Sequence, residues 1–214
     1  MRSDLLLVAR GNRLPRIECR GGGLQARCTA PDTVHLVSAA ATPLGGDTIA
    51  IRVVVEPGAR LRLRSAAATV ALPGPAGPAS YSGWDIEVCG DLDVDLEPTV
   101  VAAHARHLST VTLRLRDAGA VRFRERVQIG RCDERGGFWS GSLRADCDDR
   151  PLLRHRVELG AGSPADDGIA APRAMISELH YPAARYGCVA PDTTVLALAG
   201  GGTLTTWQAD RLSG

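Results

Sequence analysis

The chain contains no lysine: all 25 of its basic residues are arginines, set against 24 acidic ones for a formal charge of +1. A nucleic-acid binder carries a basic excess gathered on one face, and this near-balance argues against one. Aromatic residues make up only 4% of the chain, so a core has to be built from Val, Leu, Ile and Ala. Leu5 to Ala9 is too short for a membrane span or a signal-peptide core, and no cleavage site follows it. The expected location is the cytoplasm, with no membrane partner. Six cysteines (Cys19, Cys28, Cys89, Cys132, Cys147, Cys188) show no CxxC and no tight framework. In such a compartment most of them are expected to be small buried hydrophobes rather than disulfides. GxSxG, the Walker A loop, a GxGxxG opening a helix, and HExxH are all absent, which leaves no signature of an enzyme.

What the chain does have is alternation. With 214 residues and 44% hydrophobic content it can bury one sizeable core, so a single domain is expected. Ile49, Ile51, Val53 and Val55 recur at every second position. Beyond a turn at Glu56-Pro57-Gly58-Ala59, Leu61 and Leu63 do the same between Arg60, Arg62 and Arg64. That is the period of half-buried strands. Trp84, Ile86, Val88, Leu92, Val94 and Leu96 form a second apolar phase, with an acidic phase (Asp85, Glu87, Asp91, Asp93, Asp95, Glu97) between them. One long strand with a bulge at Gly90, or a hairpin turning there, would give this pattern. The acidic phase complements the arginine phase of the preceding strands and would help fix their pairing.

Turn centres near residues 22, 58, 90, 119 and 149 recur about every 30 residues, the spacing of stacked hairpins, each covering its neighbour's apolar face. The expected fold is all-β, mainly antiparallel, in a solenoid-like or two-sheet body. Residues 17–159 would form that body, 160–172 a mobile connection, and 173–214 a segment packing back on it. In that last segment, Arg173 to Leu179 and Thr203 to Leu212 read as short helices and Thr193 to Ala199 as a strand. The opening run before Arg16 reads as an edge strand.

One residue breaks phase. In Val121, Phe123, Glu125, Val127, Ile129 a carboxylate takes the apolar side of its strand. A buried charge must be paired, protonated or set against a polar cavity. Glu125 is therefore either half of a structural ion pair, with Arg131 as a candidate partner, or a carboxylate in an internal passage or metal site. Asp47, after Gly45-Gly46, is either a turn residue bonding its own backbone or a site. His104 and His107 are three apart in a stretch that reads as helix or loop; on a helix they would share one turn, a weak metal-ligand spacing.

The ordered set Gly45-Gly46-Asp47, Glu56-Pro57-Gly58-Ala59, Ser65-Ala66-Ala67-Ala68-Thr69, Leu96-Glu97-Pro98, Gly119-Ala120 with Glu125, and Gly130-Arg131 followed by Glu134-Arg135-Gly136 resembles the UreD (UreH) family of urease accessory proteins over about residues 34–159. The resemblance implies an all-β, non-enzymatic scaffold and metallochaperone. It would bind a UreF-like protein and, through it, the UreG GTPase, and deliver nickel to the urease apoprotein by an internal tunnel. It further implies that Asp47 and Glu125 lie on the nickel route, with Glu97, Arg131 and Glu134 in support. No tightly bound cofactor is expected: Ni2+ would pass through in transit, and GTP would sit on the partner.

Overall fold

The computed structural model describes residues 1–166, 171–182 and 192–212. Every regular element among them is a strand. In chain order the first five are β1 (Arg2–Ala9), β2 (Arg16–Arg20), β3 (Leu24–Ala30), β4 (Thr33–Ser38) and β5 (Thr48–Val55). The middle of the chain forms β6 (Arg60–Ser65), β7 (Thr69–Ala71), β8 (Ala79–Val88), β9 (Asp91–Asp95), β10 (Thr99–Val101) and β11 (Arg106–Leu115). After these come β12 (Ala120–Ile129), β13 (Phe138–Cys147), β14 (Arg150–Gly160), β15 (Ala174–Tyr181), β16 (Thr193–Ala197) and β17 (Thr203–Ala209).

Two sheets stack face to face in a solenoid-like body. One has the order β14-β13-β11-β8-β5-β1-β2; the other runs β16-β17-β15-β12-β9-β6-β4-β3, with β7 and β10 paired beside β12. The all-β expectation holds, but the strand direction differs. β5, β8, β11 and β13 pair in parallel in the first sheet, and β4, β6, β9 and β12 do so in the second. The turns at Glu56 to Ala59, at Cys89-Gly90 and before Ala120 are therefore not hairpins. Each is an arch that carries the chain from the first sheet to the second, and successive arches stack. Asp91 N–H donates to Ala59 O at 2.9 Å, and Ala120 N–H to Gly90 O at 2.8 Å. Only Gly fits the second and third corners, because a Cβ at Gly90 would lie 2.2 Å from Ala59 O and one at Gly119 2.3 Å from Val88 O.

Between Cys147 and Arg150 the chain does make the expected hairpin, with β13 and β14 antiparallel in one sheet. The opening strand β1 is not an edge, since it lies between β5 and β2. The two C-terminal helices are not formed. Arg173 to Leu179 falls largely in β15 and Thr203 to Leu212 in β17, which extend the second sheet by antiparallel pairing on β12. The segment thus gains ladder bonds along both strands where a short helix would have left its end groups open. Part of the expected connection at 160–172, and Cys188, lie outside the described residues.

On the outer face of the second sheet the charges interlock as the sequence suggested. Arg64 meets Asp93 at 2.7 Å. Arg122 bridges Asp93 and Asp95 at 3.2 Å each and Glu178 at 2.9 Å. Arginine-rich β6 and β12 so flank acidic β9, which favours their order in the sheet.

Apolar side chains fill the space between the sheets in two clusters. The larger takes Val111, Leu113, Leu115, Val121, Phe123, Leu143 and Leu179 along with the inner faces of β1, β5, β6, β8 and β9. The smaller holds Ala71, Val101, Ala105, Val127, Ile129, Trp139, Leu159 and Met175.

Candidate functional site

Between the two clusters β8, β11, β12, β13 and β15 switch to polar or minimal side chains. Along β12 the inward sequence is Phe123, Glu125, Val127, and along β11 it is His107, Ser109, Val111, with Ala105 just before the strand. β8 places Ser80 and Ser82 beside these, β13 places Gly141, and β15 places Ser177, directly opposite Glu125 in the register. This polar layer adjoins a cavity of about 220 Å³, roomy enough for several waters. Ser82, Trp84, His107, Ser109, Phe123, Glu125 and Trp139 line its inner part.

The outer part is a breach in the second sheet. β12 runs unbroken, pairing with β9 at residues 120–124 and with β10 at 127–129, so Glu125 and Arg126 have no ladder partner on that side. The line of β6 and β7 is interrupted at Ala66 to Ala68, next to the interruption at Leu96 to Pro98. Both interruptions are stitched locally. Ser65 Oγ accepts from Glu97 N–H at 2.9 Å and donates to Ala67 O at 3.1 Å. Arg126 closes one lip by donating to Leu96 O from Nε at 3.1 Å and from Nη2 at 2.7 Å. Ala66, Ala67, Ala68 and Glu97 form the exposed rim.

Glu125 sits where this opening meets the polar layer. It is half-buried and lines the cavity. Its one bond is from Ser109 Oγ to Oε1 at 3.4 Å. Burial pushes its carboxyl up to about 7, opposed only weakly by the serine. The expected ion pair with Arg131 is not made: among the described residues no cation pairs with Glu125, and Arg131 bonds Glu134 instead. Glu134 also accepts from Ala103 N–H at 3.0 Å and Arg131 N–H at 3.1 Å. Arg131 first, then those amides, hold its carboxyl down at about 2. That knot fastens a loop and takes no part in lining the cavity.

His107 lines the cavity, 4% exposed. Its Nδ1 lies 2.9 Å from Ser80 Oγ and its Nε2 3.1 Å from Ser82 Oγ. Burial lowers its pKa to about 4, so the ring is neutral at pH 7. His104 is not beside it. No helix forms there; His104 occupies an exposed turn at φ 64°, its N–H on Gly136 O at 3.1 Å.

Asp47 is buried and fully engaged. It accepts from Thr42 Oγ1 at 2.9 Å, from Leu44 N–H at 2.9 Å and from the amino group of Met1 at 2.5 Å. Burial alone would raise its pKa, but these donors outweigh it and the net shift is downward. It does not line the cavity. Of the residues singled out from the sequence, then, Glu125, His107 and the rim residue Glu97 come together, and Asp47, His104, Arg131 and Glu134 stand apart. Ser80, Ser82, Ser109, Ser177 and Trp139 were missed, although Ser109 repeats the phase break of Glu125. Among the described residues no three His, Cys, Asp or Glu side chains converge as a metal shell.

The family model for the UreD urease accessory protein matches residues 24–202. Curated relatives include urease accessory protein UreD 1 of Saccharopolyspora erythraea, 36% identical over 86% of this chain and 74% of that protein. The urease accessory protein UreD of Frankia alni is 35% identical over 98% of this chain and 81% of its own length. That of Parafrankia sp. is 35% identical over 83% and 70%.

Proposed function

The chain belongs to the UreD family of urease accessory proteins, which supports a role in urease maturation, and from that premise we propose that it is a scaffold and metallochaperone whose cavity is a stretch of the nickel route. In this reading it catalyses no reaction of its own. A UreF-like protein docks on it and brings the UreG GTPase, which binds the GTP. The urease apoprotein receives Ni2+, the cargo.

The observation that carries this reading is a carboxyl group with no cationic partner among the described residues, lining a cavity that opens through a break in a sheet. A purely structural interior has no use for it, because an unpaired buried acid costs stability. For a passing divalent cation it is useful twice: the charge draws the ion in, and a single oxygen donor among waters lets it go. Glu97 at the rim adds an outer carboxylate. Asp47, whose oxygens are taken up by three donors, shapes the turn that leads into β5.

Co-expression with the UreF-like protein, the UreG GTPase and urease apoprotein tests this. Glu125→Gln should leave the chain folded and co-eluting with its partners while nickel-dependent urease activation falls about tenfold or more. Activation at the wild-type level would reduce the chain to a docking scaffold and refute the route.

A further inference from the structure

The polar layer contains one nitrogen donor, and it is held in a particular way. Ser80, with no exposed surface, meets Nδ1 of His107 from the side away from the cavity; Ser82, itself a lining residue, meets Nε2 from the cavity side. A metal-ligating histidine characteristically has its far nitrogen fixed by a second group, which sets both tautomer and ring orientation. With Nδ1–H donated to Ser80, the Nε2 lone pair points to the cavity and is capped by the Ser82 hydroxyl. Ser109, two residues further on the same face of β11, contacts Glu125. Imidazole and carboxylate are thus about one two-residue strand step apart, roughly 7 Å, a gap that a cation with bound water bridges.

We propose that His107 Nε2, as the direct donor, and the Glu125 carboxylate, acting through a metal-bound water, form a station for a borderline divalent cation of the Ni2+ type, with Ser80 as positioning residue and Ser82 as a displaceable cap. The station rests on the reading of the cavity as a nickel route and adds selectivity to it. Carboxylate and water alone suit Mg2+ and Ca2+, whereas an imidazole favours Ni2+, Cu2+ and Zn2+. One direct protein donor and one carboxylate reached through water hold the ion loosely. The Ser82 hydroxyl competes for the same lone pair and promotes release.

Trp84 and Trp139 line the same cavity, so a paramagnetic ion bound there quenches their fluorescence. The full chain is titrated with NiCl2, with MgCl2 as control. Saturable quenching is expected with Ni2+ and none with Mg2+. His107→Gln should weaken Ni2+ binding by at least about tenfold, and Ser80→Ala by about tenfold. Ser82→Ala should tighten it by about fivefold, since a hydrogen bond no longer has to be broken. Wild-type affinity in a folded His107→Gln chain overturns the station, as does a Ser82→Ala chain that binds no more tightly than wild type. The second variant removes only a hydroxyl and decides the matter if the first fails to fold. The two readings separate cleanly. Loss of urease activation in Glu125→Gln with undiminished Ni2+ affinity in His107→Gln keeps the route and discards the station. Variant affinities as expected, with normal activation in Glu125→Gln, do the reverse.

Discussion

Because burial holds the Glu125 carboxyl near 7 in the folded chain, folding takes up a proton between the unfolded value of about 4.5 and that pH. The folded state binds more protons than the unfolded one in this window, so stability falls as pH rises through it. The loss is on the order of 3 kcal/mol by pH 8. Glu125→Gln removes this contribution: urea unfolding from pH 5 to 8 should show a decline for the wild type that is absent from the variant. An equal decline in both would place the proton uptake elsewhere. Asp47 gives a contrasting expectation. Asp47→Ala orphans Thr42 Oγ1 and Leu44 N–H and should cost about 1–3 kcal/mol in the same unfolding measurement, with Ni2+ quenching unchanged. A variant that lost quenching while remaining folded would return Asp47 to the route. The phase of Glu125 was legible because one charged residue among four apolar ones is conspicuous. Ser82 and Ser109 were not, since a serine on an inner face is common and acquires meaning only when the register sets it beside the others.

At the scale of single strands, alternation revealed nearly all of the body, because period 2 is a local property of the chain. Pairing direction is not local. An arch and a hairpin need similar turn residues, and what separates them is whether the next strand bonds its predecessor or one about 30 residues back. The C-terminal strands were misread for a related reason: Met175 and Leu179, four apart, imitate a helical face, and only β12 beside them imposes the strand. The arches yield a direct test. Gly119→Ala places a Cβ 2.3 Å from Val88 O and 3.0 Å from Arg116 O, which forces the stacked corner apart. The expected cost is about 2–3 kcal/mol, a fall of roughly 5–10 °C in Tm for a chain of this size. A Tm within 1–2 °C of wild type, about the shift of a neutral surface change, would mean that the corners are not held by this stacking.

Over the whole molecule the polar layer is the feature that a sequence optimised only for stability would lack. It divides the interior into two apolar clusters at the level where β6 and β9 break off, so core and sheet are interrupted together. Either interruption alone could be an accident of packing; their coincidence leaves a cavity bordered by the exposed rim and lined further in by His107 and Trp139. Sealing the layer should therefore strengthen the fold and abolish its use. Glu125→Met keeps the length of the side chain and lets its apolar body join Phe123 to Val127. Measured at pH 8, where the wild-type carboxyl is ionised, it should raise stability by about 1–3 kcal/mol. Urease activation in the presence of the partner proteins should drop with it. Stability and function moving in opposite directions is the outcome that a structural role for Glu125 forbids, because a residue kept for the fold cannot be replaced to the fold's advantage.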